Sequence, residues 1–347
     1  MQAIRIKPAP ETETPYSPTN PAPSKCLTND KIPIPRPKSP TDLLIKIKAT
    51  TIIRDMLTWP EYYHQQYTIP GHDFSGTVAA VFESDSSTSS SPSPPHNFII
   101  GDEVFGMANT NRASTWAEYA IVSVDEVARK PRTLGWEEAA ALPLSALTAY
   151  EALFRHAGIP VPIVGSGKER NVSSKRVLIT GASGGVGIYL VQLAASAGVH
   201  VVAASSSNVR NGEFLRGLGA GEVVEYGDLE GVNGAFDVIV DCVGGEVLSK
   251  CWGFVKGDGV LISVDSASFD FVAEHQKRGL CDGKEGVKAL FFIVEGDGEV
   301  LSALAALAES GALRSFVAAT FPIESVREAY DFANGRFEGR GKVVLTV

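Results

Sequence analysis

The chain has 347 residues, 44% hydrophobic and 20% charged, with a formal net charge of −9. That length exceeds one ordinary hydrophobic core and predicts two domains, while the acidic balance excludes the basic surface that a nucleic-acid or acidic-membrane partner needs. No apolar run reaches membrane-spanning length, and the four cysteines, Cys26, Cys242, Cys251 and Cys281, form no C-x-x-C pair, as expected of free thiols in a reducing compartment. Met1-Gln-Ala-Ile-Arg-Ile-Lys7 alternates as a short strand and not as a signal peptide, so the expected location is cytoplasmic.

Residues 8–40 are rich in Pro, Thr and Ser and read as loop, with Ile32-Pro-Ile-Pro-Arg-Pro-Lys38 extended. Leu43 to Ala49 alternates apolar and charged positions, the pattern of a strand with one wet face. Leu57-Thr-Trp-Pro-Glu-Tyr-Tyr-His-Gln-Gln-Tyr67 follows as an aromatic loop. Its rings either line a cleft, which makes Trp59, Tyr62 and Tyr63 site candidates, or pack structurally. Ile69-Pro-Gly-His-Asp-Phe-Ser-Gly76 and Gly101-Asp-Glu-Val-Phe-Gly106 flank a Ser/Pro-rich insert, Ser84 to Pro95, read as an exposed hairpin loop. Trp116-Ala-Glu-Tyr-Ala120 and Glu138-Ala-Ala-Ala-Leu-Pro-Leu-Ser-Ala-Leu-Thr-Ala-Tyr150 come next. Asn171-Val-Ser173 matches a glycosylation sequon and reads as a chance match in a chain without a secretory signal.

Arg176-Val-Leu-Ile-Thr180 is a buried-strand signal that runs into Gly181-Ala-Ser-Gly-Gly-Val-Gly187 and then an apolar helix, Ile188 to Ala197, closed by Gly198. Such a strand-turn-helix offers unpartnered N–H groups at the positive end of a helix, a place for a pyrophosphate. The spacing G-x-x-G-x-x-G departs from G-x-G-x-x-G, so the strands downstream matter. Val199 to Ala204, Glu222 to Tyr226, Phe236 to Asp241 and Gly259 to Val264 alternate with helical patterns, as in a doubly wound parallel sheet. An NAD site usually carries an acidic residue at the end of the second strand. Here Ser205-Ser-Ser207, Asn208 and Arg210 stand there without a carboxylate, and Arg210 is suited to a 2′-phosphate, so NADP(H) is the expected cofactor. Arg210 also reads as a solvated helix-face charge and the serines as a plain N-cap. In the tail, Glu299 to Ala308 and Glu324 to Ala333 read as helices, and Gly341 to Val347 as a closing strand.

Taken in order, Gly-His-Asp-x-x-Gly, Gly-Asp-x-Val-x-Gly, Ala-Glu-Tyr, the segment 138–150, the Gly-Gly-Val-Gly turn and Gly339-Arg-Gly-Lys342 resemble the medium-chain dehydrogenase/reductase superfamily. The similarity is to its zinc-free quinone oxidoreductase and enone reductase branch. It covers nearly the whole chain. The resemblance implies an α/β fold with a GroES-like β-rich catalytic domain, residues 1–140 and 295–347, and a Rossmann domain, 141–294. It places Thr148 at the nicotinamide, Ser183, Gly184, Gly185 and Val186 at the pyrophosphate, and Ser205, Ser207, Arg210 and Tyr226 at the adenosine phosphate end. Val243, Phe291, Phe292, Ile293 and Arg340 would complete the cofactor cleft, although Phe291 and Phe292 read equally as strand packing. Asp55 matches an acidic position of the substrate cleft, but Ile52 and Ile53 replace the Asn-Pro common beside it.

No metal is expected. His72 occupies the family's zinc-histidine position, but Thr51 to Asp55 holds no cysteine and Ser145 stands where the second cysteine would be. One His cannot hold zinc, and His72 reads as structural. Without a Lewis acid, conjugate hydride addition to a small enone, enal or quinone fits, with charge developing on an oxygen that donors or a phenol stabilise. The proton comes from water or a tyrosine, with Tyr63 the candidate. The alternatives are a trans-acting enoyl reductase on chains bound to an acyl-carrier domain, and a nucleotide-holding sensor without turnover. The expected assembly is a monomer or homodimer.

Overall fold

The computed structural model describes residues 1–82, 96–162 and 174–347; the insert Ser84 to Pro95 and the sequon Asn171-Val-Ser173 lie outside the described residues. The chain divides into two compact units, Met1–Leu147 with Glu295–Val347, and Thr148–Val294. The first boundary falls inside a helix, at 147/148 and not at the 140/141 read from the resemblance.

The first unit begins with strands β1 (Gln2–Ile6), β2 (Leu27–Lys31), β3 (Asp42–Ile52), β4 (Asp73–Val81), β5 (Glu103–Met107), β6 (Tyr119–Ser123) and β7 (Val127–Arg129), followed by helices α1 (Trp136–Ala140) and α2 (Pro143–Tyr150). The second unit contains β8 (Arg176–Ile179), α3 (Gly187–Ser196), β9 (His200–Ser205), α4 (Asn208–Gly217), β10 (Glu222–Glu225), β11 (Phe236–Asp241), α5 (Gly245–Phe254), β12 (Val255–Ser263), α6 (Phe271–Lys277) and β13 (Lys288–Phe291). The tail returns to the first unit with α7 (Gly298–Glu309), β14 (Val317–Pro322), α8 (Val326–Asn334) and β15 (Lys342–Thr346).

In the second unit the strands lie in the order β10-β9-β8-β11-β12-β13, and every neighbouring pair is parallel. Counted from β8 this is 3-2-1-4-5-6, the order of a dinucleotide-binding sheet, with its reversal between β8 and β11. The central strands are apolar throughout because helices cover both faces: Val177, Leu178, Ile179, Val238, Ile239 and Val240 are buried. The strand expected at Glu222–Tyr226 stops at Glu225, where a 3-10 turn takes over.

The first unit is built on a sheet in the order β14-β15-β3-β4-β5-β7, with β6 also pairing β3. Leu43, Ile45, Ile47, Phe74, Val104 and Val122 fill its interior. A second cluster gathers Ile4, Leu27, Trp116, Tyr330 and Leu345. The closing strand β15 pairs antiparallel with β3 and parallel with β14. It carries Lys342, whose ammonium meets Asp73 in a buried ion pair. Thr51 Oγ1 donates to the same carboxylate at 2.6 Å and the Leu144 N–H at 2.6 Å, so one carboxylate ties β3, β4, β15 and α2. The region read as loop, 8–40, holds one strand: Leu-Thr-Asn-Asp-Lys pairs antiparallel with β1 from Leu27 to Lys31. Its polar composition hides it, because β1 supplies the edge and only Leu27 is buried.

Candidate active site

The glycine turn follows β8. Gly181 has φ +59°, in the left-handed region, and a side chain there would press on Val243. At Gly187 a Cβ would lie 2.3 Å from the Gly181 carbonyl oxygen, so this glycine lets α3 close against the strand. Gly184 is different: a Cβ would meet only the Gly181 oxygen, at 3.1 Å. The middle position thus opens outward. Gly184 N donates to Gly181 O at 2.8 Å and Ala182 N to Ala204 O at 3.1 Å, but among the described residues the N–H groups of Ser183, Gly185 and Val186 have no acceptor. No side chain caps α3.

The Tyr226 hydroxyl accepts the Gly181 N–H at 3.0 Å, and burial raises its pKa. With Thr180, Leu229, Val247 and Lys250 it lines a cavity of about 140 Å³. At the β8/β11 reversal Asp241 is fully buried. It accepts from Thr180 Oγ1 at 2.6 Å, Gly244 N at 2.9 Å and Ser263 Oγ at 3.1 Å. Burial raises its pKa and these donors oppose the rise, so one carboxylate fixes the ends of β8, β11 and β12. Beyond those ends stand exposed apolar side chains: Val243 after β11, Phe269 after β12 and Ile293 after β13, 41%, 70% and 66% exposed. Phe269 and Asp241 escaped the sequence reading, although an acid closing Phe-Asp-Val-Ile-Val-Asp was a visible signal. Phe291 is half-buried against the sheet core, Phe292 packs on His156 with ring centroids 4.5 Å apart, and Thr148 is buried on α2.

After β9, Ser205 is buried and its hydroxyl is used internally, donating to Ser207 O at 3.3 Å and accepting from Asn211 Nδ2 at 3.2 Å. Ser207 caps α4 by accepting from Arg210 N at 3.4 Å. Arg210 is exposed in the first turn. The expectation that no carboxylate stands here holds along the chain and fails in space: Glu225 Oε1 accepts the Asn208 N–H at 2.6 Å.

The remaining candidates belong to the first unit. Asp55 has φ +56°, a left-handed conformation uncommon for side-chain-bearing residues but one that aspartate adopts more readily than most, with its N–H on Asn334 Oδ1 at 2.7 Å and its side chain exposed. The Tyr63 hydroxyl donates to Leu57 O and accepts from Ala22 N at 3.0 Å; both capacities are used, and it works as a tie between loops. Tyr62 is buried, and its phenol pKa is raised well above the ordinary value, first by burial and then by the charge of Glu61. The rings of Trp59, Tyr62 and His72 lie 5.6 to 6.3 Å apart. Arg340 is half-buried in the tail.

A family model described as zinc-binding dehydrogenase matches residues 218–345. A probable zinc-binding mitochondrial oxidoreductase of Arthroderma benhamiae is 36% identical over 335 residues, covering 94% of each chain. The chain belongs to the medium-chain dehydrogenase/reductase superfamily, as a quinone-oxidoreductase-like member. Within this superfamily a mitochondrial NAD(P)H oxidoreductase of Mus musculus is 33% identical over 271 residues, 72% of this chain and 65% of that protein. The structure of the quinone oxidoreductase from Coxiella burnetii superposes with a TM-score of 0.79 at 26% identity, covering 100% of this chain and 99% of that one. The α/β fold is accordingly a GroES-like unit with a Rossmann unit, and the superfamily member is an oxidoreductase.

The zinc in two of those descriptions finds no matching donor set here. His72 Nδ1 lies 3.0 Å from Ala108 O, and Nε2 lies 3.4 Å from Glu61 Oε1 with no hydrogen-bond partner among the described residues. Asp73 is engaged by Lys342. Among the described residues no group of three His, Cys, Asp or Glu is placed to hold a metal. A dinucleotide fits better: the Gly184 cradle and the unpartnered amides of Ser183, Gly185 and Val186 match a pyrophosphate in hydrogen bonding and charge.

Proposed function

We propose that this oxidoreductase is a metal-independent, NADPH-dependent reductase of activated double bonds in small enones, enals or quinones. The observation that carries the reading is the outward-opening turn at Gly184, with free backbone donors at an uncapped helix N-terminus. When bound there, the nicotinamide cofactor supplies the hydride for the β-carbon of the conjugated acceptor. Ser183, Gly185 and Val186 would hold the pyrophosphate through their N–H groups, reinforced by the positive end of α3. Val243, Phe269 and Ile293 would present apolar surface that excludes water from the reacting end. Arg210 would pair with the 2′-phosphate, a charge-assisted contact of about 1.5 to 3 kcal/mol. Because Leu57 and Ala22 occupy the Tyr63 hydroxyl, the proton for the α-carbon is assigned to water.

The test mixes the protein with NADPH and a panel of enones and quinones, without a carrier protein, and follows loss of NADPH absorbance. Turnover of at least one class is expected. NADPH left unconsumed across the whole panel overturns the reading, and turnover that appears only with carrier-bound chains reassigns the substrate.

A further inference from the structure

We propose that Glu225 is a second determinant of dinucleotide choice, acting against Arg210 and keeping NADH acceptable; the inference rests on the nucleotide-binding reading above. Glu225 ends β10 directly beside Ser205 at the end of β9. Its carboxylate accepts the Asn208 N–H at 2.6 Å. It therefore stands at the first turn of α4, where a sheet of this order receives the adenosine ribose. Asp228 adds a second negative charge, accepting the Glu225 N–H at 2.8 Å.

The same place holds acceptors in want of a donor. The side-chain oxygens of Asn208 and Asn211 are buried with no hydrogen-bond partner among the described residues, and Asn211 is only 3% exposed. Their amide nitrogens are already used, on Val223 O at 3.4 Å and Ser205 Oγ at 3.2 Å, which fixes the oxygens as the free atoms. A ribose 2′-hydroxyl brings a hydrogen to such a site. A 2′-phosphate brings acceptor oxygens and about two negative charges, which a carboxylate repels and a bare amide oxygen cannot bond. Arg210 pulls the other way, so the balance between NADPH and NADH is set by an opposed pair: an arginine on the helix and an acid delivered by the neighbouring strand.

The test is equilibrium titration of NADPH and NADH into the wild-type protein, Glu225→Gln and Asp228→Asn. Gln keeps an acceptor for the Asn208 N–H, so the start of α4 is preserved. Wild type should bind both nucleotides. Glu225→Gln should raise the NADPH-over-NADH affinity ratio about tenfold, the scale of one removed charge at several ångströms in a partly solvated site. Asp228→Asn, a milder change at an exposed residue, should move it about two- to threefold the same way. Both nucleotides bound with the ratio unmoved in both variants overturns the role of Glu225. Neither nucleotide bound by the wild-type protein overturns the dinucleotide reading itself.

Discussion

Within one glycine turn, two substitutions should fail in opposite ways. At Gly187 an added methyl would lie 2.3 Å from the Gly181 carbonyl oxygen and 2.7 Å from Ala182 backbone atoms. Backbone on both sides leaves nowhere to yield. Overpacking of this kind costs about 1 to 3 kcal/mol, and contacts with main chain put Gly187→Ala at the upper end, about 3 kcal/mol. For a unit of this size that lowers Tm by about 6 to 12 °C. At Gly184 the methyl meets a single oxygen at 3.1 Å, which a shift of a few tenths of an ångström relieves; Gly184→Ala should change stability by less than about 1 kcal/mol. Its consequence should appear in binding. Displacing a pyrophosphate from even one or two charge-assisted contacts costs about 1.5 to 3 kcal/mol, ten- to a hundredfold in Kd, and Gly184→Val should abolish binding. Thermal melts and fluorescence titration with NADPH separate the two. A folded Gly184→Val protein with unchanged affinity would put the nucleotide elsewhere, and an unperturbed melt for Gly187→Ala would refute the packing argument.

Arg210→Glu should weaken NADPH much more than NADH by titration; equal weakening removes the phosphate role. Lys342→Met leaves the Asp73 carboxylate buried without its cation and should cost about 3 to 5 kcal/mol in denaturant unfolding, with a marginal loss arguing that the pair is dispensable. His275 accepts the Trp252 indole N–H on Nδ1 at 2.9 Å, which requires the neutral ring, and burial lowers its pKa from 6.5. Because the folded state resists protonation, this contribution is full above pH 6.5 and is lost as pH falls through the depressed folded pKa. The midpoint should drop on acidification in thermal melts, and His275→Phe should flatten that part of the profile.

The parallel sheet was legible because its strands are short apolar runs with no polar face, and Gly198 at φ +74° ends α3 as its sequence announces. β2 was not, since a strand with one buried residue gains its stability from the edge it joins. The site divides in the same way. Gly181 and Gly187 carry a local signal, whereas Glu225 reaches Asn208 only through the β9–β10 register. No local pattern encodes which side chain of one strand arrives beside the loop of another. Tyr63 reads from the sequence as either a cleft donor or a packing residue; the structure occupies its hydroxyl with Leu57 O, six residues back in the same loop, and with Ala22 N, from a segment with no spacing relation to it.

The interior position of β15 has a consequence for synthesis. Thr148–Val294 is an uninterrupted run of chain and has all its strands in hand as soon as it clears the ribosome. The other unit must wait: until residues 342–346 emerge, β3 and β14 face an empty slot between them. During that interval the early strands expose unsatisfied amides and carbonyls to other nascent chains.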